Sequence, residues 1–202
     1  MPHYFDRDPQ TVSRPRPVTL RLRDLEVPLT TDTGVFGRGG VDPGTMFLLR
    51  RAPLPPDRGE ILDIGAGYGP IAVTLGLRSP QARVWAVDVN RRALGLAASN
   101  AQAAGATNVV AAAPDDVPAE LSFAAIYSNP PVRIGLAQLH ALLTGWLDRL
   151  ATEGTAHLVV HRHLGSDSLA AWLSAQRYPC RRVASHDGYR ILRVQPRVGD
   201  DR

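Results

Sequence analysis

The stretch Ile61-Leu62-Asp63-Ile64-Gly65-Ala66-Gly67-Tyr68-Gly69-Pro70 decides the fold. Residues 60–64 form a short apolar run of strand type, and the three glycines allow a sharp turn with bare backbone for a ligand to lie against. Pro70 suits the first turn of the helix that follows. Downstream the same alternation repeats. Residues 83–88 read as a strand, and Asn90 caps a helix that runs through Ala104 and closes at Gly105. Residues 108–112 and 123–128 are further strands, followed by a helix within 135–150 and a strand at 155–161. Ser166 is placed to cap a helix through Ala175, and 181–185 and 189–195 read as strands joined at Asp187-Gly188. Strand and helix in alternation predict an α/β sheet, mostly parallel; the last two runs are joined too tightly for a crossover helix, so one of them enters antiparallel.

Upstream, residues 1–16 are rich in Pro and Arg and read as an irregular arm. Runs at 18–22 and 27–30 make a hairpin around Arg23-Asp24-Leu25, residues 31–44 are loop, and a short helix passes through Met46 to Arg51. The expected organisation is an arm-and-hairpin extension at 1–52 packed on a main domain at 53–197, with a tail at 198–202.

Composition bounds the function classes. The chain has 202 residues, 44% of them hydrophobic, enough for one core of ordinary size. Cys180 is the lone cysteine, which excludes an intrachain disulfide and a multi-thiolate metal site and suits a cytoplasmic location. The N-terminal stretch has no apolar signal region and no run suits a membrane span, so a membrane role is not expected. Every basic charge is Arg: 23 Arg and no Lys stand against 19 acids, for a net charge of +4. That choice reads partly as the mark of a GC-rich genome. Its distribution is less neutral, because residues 161–202 hold 8 Arg against 4 acids and carry the whole surplus.

The glycine turn selects its ligand by spacing. A dinucleotide fingerprint needs G-x-G-x-x-G, but here the third glycine arrives one residue early. Asp63, two residues before the first glycine, suits a cation better than a pyrophosphate. S-adenosylmethionine (SAM) carries a sulfonium and an ammonium and no phosphate, so it fits best. Asp88 ends the next strand, where a carboxylate accepts ribose hydroxyls. Asp115, or its neighbour Asp116, stands after the third strand where it can meet an adenine amino group.

Ser128-Asn129-Pro130-Pro131 closes the fourth strand of this series, and its prolines stiffen the turn. The Asn129 carboxamide and the Pro130 carbonyl can each accept a hydrogen bond from one exocyclic amine, aiming its lone pair at the SAM methyl. Such catalysis works by orientation and needs no strong base.

These motifs make the chain resemble the methyltransferase small family of class I SAM-dependent methyltransferases, and within it the single-domain relatives of the 16S ribosomal RNA guanine-N2 enzyme. The likeness runs over about residues 3–195. It includes His3-Tyr4-Phe5, Thr31-Asp32-Thr33-Gly34-Val35-Phe36, Val41-Asp42-Pro43-Gly44-Thr45, Asn129-Pro130-Pro131-Val132-Arg133-Ile134-Gly135 and Gly188-Tyr189-Arg190-Ile191-Leu192. The resemblance implies a Rossmann-like, mostly parallel seven-stranded sheet with an antiparallel strand near the C-terminus. It implies that Gly44 and Thr45 touch the SAM amino-acid end, that Asp63, Gly65, Ala66 and Gly67 line the same pocket, and that Asp88 and Val89 border the ribose. Asn129, Pro130 and Pro131 hold the target amine, with Phe36, Val132 and Arg133 on the substrate side. The implied partner is ribosomal RNA or the small ribosomal subunit, and the implied assembly a monomer or weak homodimer. Family members often carry an aromatic after Asn-Pro-Pro to stack on the base; Val132 cannot, and Arg133 can take that part.

Other readings remain open from sequence. The same chemistry serves a protein glutamine amide or adenine N6, and a SAM- or RNA-binding module without turnover is a third possibility. His161-Arg162-His163 resembles a metal pair but lacks further ligands, so no metal is expected. Trp146 and Trp172 are assigned to the core. The C-terminal Arg surplus and the Arg14–Arg23 arm are the candidates for gripping phosphate.

Overall fold

The computed structural model describes residues 8–199, so His3-Tyr4-Phe5 and residues 200–202 lie outside the described residues. The chain opens with a hairpin of β1 (Arg16–Arg21) and β2 (Glu26–Thr31), then α1 (Pro43–Arg51). There follow β3 (Arg58–Ile64), α2 (Pro70–Arg78), β4 (Gln81–Val87), α3 (Arg91–Ala104) and β5 (Val109–Ala112). The remainder is β6 (Phe123–Ser128), α4 (Leu136–Leu147), β7 (Leu150–His161), α5 (Ser166–Ala175), β8 (Cys180–His186) and β9 (Tyr189–Val194). The main sheet has seven strands in the order β5-β4-β3-β6-β7-β9-β8. Its strands are parallel except β9, which runs antiparallel to both β7 and β8. This is the expected mostly parallel α/β sheet with an antiparallel C-terminal strand.

Two-residue alternation divides the core into two layers. Ile61, Val84, Ala86, Ala125, Tyr127 and Val159 join α1, α2, α3 and the hairpin on one face. Leu62, Ile64, Trp85, Val87, Ile126, Leu158 and Val160 join α4 and α5 on the other. Strands covered on both sides read as near-continuous apolar runs, which is why 61–64 contains only one polar residue. Each such buried aliphatic side chain contributes roughly 1.5–3 kcal/mol through its removal from water. The chain leaves β3 outward through β4 and β5 and then returns to β6 on β3's other side. That reversal opens a crevice beyond the C-terminal ends of β3 and β6, where α/β sheets bind ligands.

Polar side chains of α3 fasten the extension to this frame. Asn100 is buried; its Oδ1 accepts from Thr30 N (2.8 Å), and its Nδ2 donates to Thr30 O (2.9 Å) and Tyr68 O (2.7 Å). Arg92 donates to the carbonyls of Pro9, Thr11 and Thr33. Asp32, also buried, accepts from Ser13 Oγ, Arg14 N and Thr33 N. Arg78 closes the hairpin end with a two-pronged pair to Asp24. The described part of the arm, from residue 8, is irregular, as expected, but it is held.

Several boundaries differ from expectation. Helix α1 starts at Pro43 rather than near Met46, because Asp42 caps it and Pro43 fills its first turn. Strand β7 begins at Leu150, with an irregular pairing to β6 before the regular run from Thr155. Ser166 is not the cap of α5: Gly165, at φ 89°, takes that place, and the Ser166 hydroxyl is buried in the helix without a hydrogen-bond partner. The Asp187-Gly188 turn forms as read, with φ of 46° and 82°, the twist that suits a two-residue hairpin.

Replacing Asn100 by Ala strands Thr30 N, Thr30 O and Tyr68 O in a buried setting. At about 1–3 kcal/mol for an unmet buried group, partly offset by relaxation, the expected loss is about 3 kcal/mol in urea unfolding. A loss below about 1 kcal/mol would mean that water satisfies those groups instead.

His157, mid-strand in β7, is buried against Tyr127, and burial, with the nearby Arg193 charge, lowers its imidazole to about 4. A His held neutral contributes stability fully present above its ordinary value near 6.5 and lost as pH falls through the folded value. Acidification from pH 7 to 4.5 therefore costs wild type about 2 kcal/mol that His157→Gln does not lose. Equal slopes of stability against pH in the two proteins would remove His157 as the cause.

Candidate active site

A cleft of about 260 Å³ opens at the predicted crevice, beyond the ends of β3, β4, β6 and β7. Its floor is the join of β3 and β6, where Ser128 Oγ donates to the Ile64 carbonyl (2.7 Å). The next residues on the two strands, Gly65 and Asn129, therefore emerge side by side, and both line the cleft.

The glycine turn uses its residues differently. Gly65 and Gly67, at φ 72° and 56°, line the cleft, and Gly65 N and Ala66 N donate to Val87 O (2.9 and 3.0 Å). Gly69 faces away: an added Cβ would come within 3.1 Å of Ala97 Cα, so this glycine lets α3 approach the turn. Ala66 packs into the hydrophobic core, away from the cleft wall. Burial also removes Asp63 from the wall. Its Oδ2 accepts from Ala72 N (3.0 Å), while its Oδ1 has no partner among the described residues. Burial pushes its carboxyl well above the usual carboxylate range, against the Ala72 hydrogen bond.

Asp88 lines the cleft beside Val89. Its Oδ2 accepts from Gly67 N (2.8 Å) and its Oδ1 from Asn90 N (2.9 Å), so the carboxylate holds the turn's shape with lone pairs to spare. Burial raises its carboxyl, and those backbone donors oppose the shift. Asp115 and Asp116 lie exposed on the one-turn helix after β5; the cleft wall there is Pro114.

At the other end of the cleft stand Asn129, Pro130, Pro131, Val132 and Arg133. Asn129 Nδ2 donates to Asp42 Oδ1 (2.8 Å) and Thr45 Oγ1 (3.2 Å). Pro130 O accepts from Val132 N (2.8 Å), which leaves that carbonyl one lone pair. Phe36, 41% exposed, stands on the lining. Gly44 and Thr45 lie behind the wall in the first turn of α1, and Asp42, which caps that turn, is on the wall itself.

Sequence reading missed Asp42, although an Asp-Pro pair before a helix is a recognisable start signal. It also assigned Trp146 wholly to the core; the ring is buried against Phe123, yet it lines the cleft too. His161 and Tyr189 are opposite partners across β7 and β9, packed edge to face at 4.8 Å, and both line the cleft. Their joint placement depends on strand register and had no local signal. An added Cβ at Gly188 would meet His161 Nε2 at 2.5 Å, so this glycine makes room for the ring.

The donor set suits a ligand carrying positive charge and hydroxyls. Asp88 offers its carboxylate on the wall, whereas Asp42 turns its Oδ1 to the α1 cap and Asn129 Nδ2; the glycine turn is bare, and Val87, Val89, Pro114 and Trp146 supply apolar surface on which a flat ring can lie. Among the described residues no group of three His, Cys, Asp or Glu side chains is placed to hold a metal.

Of the C-terminal arginines, Arg190 pairs with Asp167, Arg197 with Asp148 and Tyr178, and Arg177 with the Gly199 carbonyl. Arg193 is partly buried, and Arg202 lies outside the described residues. Arg162, Arg181 and Arg182 are exposed, as are Arg177 and Arg197. Three of the eight arginines in this stretch therefore serve the fold. No helix among the described residues is long and apolar enough to cross a membrane.

Comparison with known proteins points the same way. The chain is 32% identical over 196 residues to the uncharacterized protein YbxB of Bacillus subtilis, covering 96% of this chain and 98% of that one. It is 35% identical over 150 residues to ribosomal RNA small subunit methyltransferase C of Shewanella halifaxensis, and 34% over 179 residues to that of Pseudomonas aeruginosa. Those matches cover 72% and 86% of this chain but 43% and 52% of the relatives, so the chain spans about half their length. Among solved structures, the 16S rRNA N2 methyltransferase RsmC of T. thermophilus, in complex with AdoMet and guanosine, superposes with a TM-score of 0.73 at 24% identity. That likeness covers 94% of this chain and 52% of the other. The model of the methyltransferase small domain matches residues 26–193. That span runs from the second hairpin strand into the last strand of the sheet and takes in every element that builds the cleft: the chain belongs to the methyltransferase small domain family.

Proposed function

We propose that this protein is a SAM-dependent N-methyltransferase acting on an exocyclic base amine of RNA, guanine N2 of small-subunit ribosomal RNA. The observation that carries the reading is the Asn129 amide. With Nδ2 committed to Asp42 and Thr45, its oxygen is the group left to accept a hydrogen bond. The methyltransferase C relatives support small-subunit ribosomal RNA as the acceptor, and the guanosine-bound RsmC neighbour supports the choice of guanine. This reading carries a cytoplasmic location, where such RNA is found.

SAM supplies an electrophilic methyl on a sulfonium centre. Everything else falls to the chain. Asp88 accepts the ribose hydroxyls, Asp115 or Asp116 meets the adenine edge, and Gly65 and Gly67 let the ligand lie on backbone. Asp63, with its unpartnered Oδ1 beneath the turn, and Gly44 and Thr45 serve the amino-acid end from behind the wall. Asn129 Oδ1 and Pro130 O accept the two amine hydrogens, which directs the nitrogen lone pair toward the methyl. The proton is shed after the nitrogen has gained the methyl, so no strong base is needed. Phe36, Val132 and Arg133 border the base, and Arg162, Arg181 and Arg182 are the exposed cations best suited to phosphate.

The test is transfer from methyl-labelled SAM into 30S subunits, naked 16S RNA, tRNA and release factor. Label enters small-subunit RNA, Asn129→Ala lowers kcat about 100-fold through lost orientation, and Asp88→Asn weakens SAM binding about tenfold in calorimetry. Label in protein but in no RNA would sink the acceptor assignment, and wild-type turnover by Asn129→Ala would sink the amine clamp.

A further inference from the structure

An amide has two faces, and they are not interchangeable at this site. Turned one way, Asn129 offers its oxygen to an amine; turned the other, it offers NH2, and two donors confront each other. The backbone of the Asn-Pro-Pro turn does not decide between these orientations. Asp42 does. Its Oδ1 lies 2.8 Å from Asn129 Nδ2, and a carboxylate only accepts, so the flipped amide would set oxygen against oxygen.

Asp42 is itself held. The same Oδ1 accepts from Gly44 N (2.8 Å) and Thr45 N (3.1 Å), the first free backbone donors of α1, and Pro43 fixes the chain between cap and helix. The Tyr189 ring covers that turn so closely that a Cβ on Gly44 would come within 2.7 Å of Tyr189 Cε1. Thr45 Oγ1, 3.2 Å from Asn129 Nδ2, adds a second acceptor on the same side.

Resting on the reading of Asn129 as the amine acceptor, we propose that Asp42 is the positioning residue of this enzyme: it locks the Asn129 amide with its oxygen toward the target amine. The charge-assisted Nδ2–H···carboxylate bond also polarises the amide, so that oxygen becomes a better acceptor as positive charge develops on the amine nitrogen. Helix α1 thereby acts as a strut. Its cap carboxylate ties the extension, which carries α1, to the end of β6, which carries the chemistry.

Asp42→Asn is the informative substitution, because Asn has the same shape and caps helices as well as Asp does. It removes the obligation: an Asn at 42 can meet either face of the Asn129 amide. Three measurements accompany it: kcat and KM for methyl transfer, SAM affinity by calorimetry, and hydrogen exchange at the Asn129 side-chain NH2 by nitrogen-15 NMR. The expected result is a kcat lowered about 10- to 100-fold, SAM affinity within about threefold, an unchanged melting temperature, and Asn129 NH2 exchange about tenfold faster. A wild-type kcat in Asp42→Asn overturns the proposal. So does a rate loss matched by lost SAM affinity or a lowered melting temperature, which marks a structural role. The exchange measurement needs no turnover. If wild-type protein methylates no acceptor, the proposed function has failed, while unchanged Asn129 exchange would separately show that Asp42 does not hold the amide.

Discussion

Strand β3 is buried on both faces, so any polar group it carries must be satisfied from within the protein. The ionisable side chain on its buried half, Asp63, meets that demand for one of its two oxygens, through the hydrogen bond from Ala72 N in α2. The bond fixes where α2 begins relative to β3, and the five residues between must turn within that distance. Left-handed glycines at 65, 67 and 69 make the turn possible, and its free backbone is then pinned by Val87 O and Asp88 Oδ2. The geometry of the glycine-turn end of the cleft descends from this one buried contact.

The extension is secured by a different economy. It adds a few apolar residues to the core, Leu20, Val27 and Leu29 among them, but its backbone is held by side chains of α3. Asn90 combines two such tasks: it caps α3 through Ala93 N and donates from Nδ2 to Gly34 O. The loop that presents Phe36 to the cleft thus hangs from the helix that borders it. Charge is used in the same way, since Arg92 satisfies arm carbonyls and Arg190 and Arg197 clasp acids within the C-terminal elements.

Much of this was legible in the sequence because it is local. The glycine turn, the Asn90 and Gly105 caps, the Asp-Gly hairpin and the Asn-Pro-Pro stop each follow from a few adjacent residues whose backbone preferences are strong. The parallel character of the sheet and the gathering of Gly65, Asp88 and Asn129 at one edge followed from strand–helix alternation, and the antiparallel entry of one of the last two strands from their tight connection. What escaped was set by distance. The pairing of Asp42 with Asn129 spans 87 residues, and the facing of His161 with Tyr189 depends on a register that neither segment encodes alone. Counting charge by segment gave the C-terminal surplus but not its use, because whether an Arg is solvated or clasped depends on neighbours brought in by folding.

The insertion of β9 between β7 and β8 has a temporal consequence. Tyr189 lies downstream of every other residue on the cleft wall, and its strand, hairpinned to β8, joins the rest of the sheet only through β7. As the chain emerges from its N-terminus, the glycine turn and the Asn-Pro-Pro end can form a parallel core first, with the cleft open on one side. The Tyr189 ring then closes over Gly44 and the α1 cap as the last strand slots in, a non-local pairing of the slow kind. The wall of the cleft is therefore completed late, by the closing of the sheet rather than by the glycine turn.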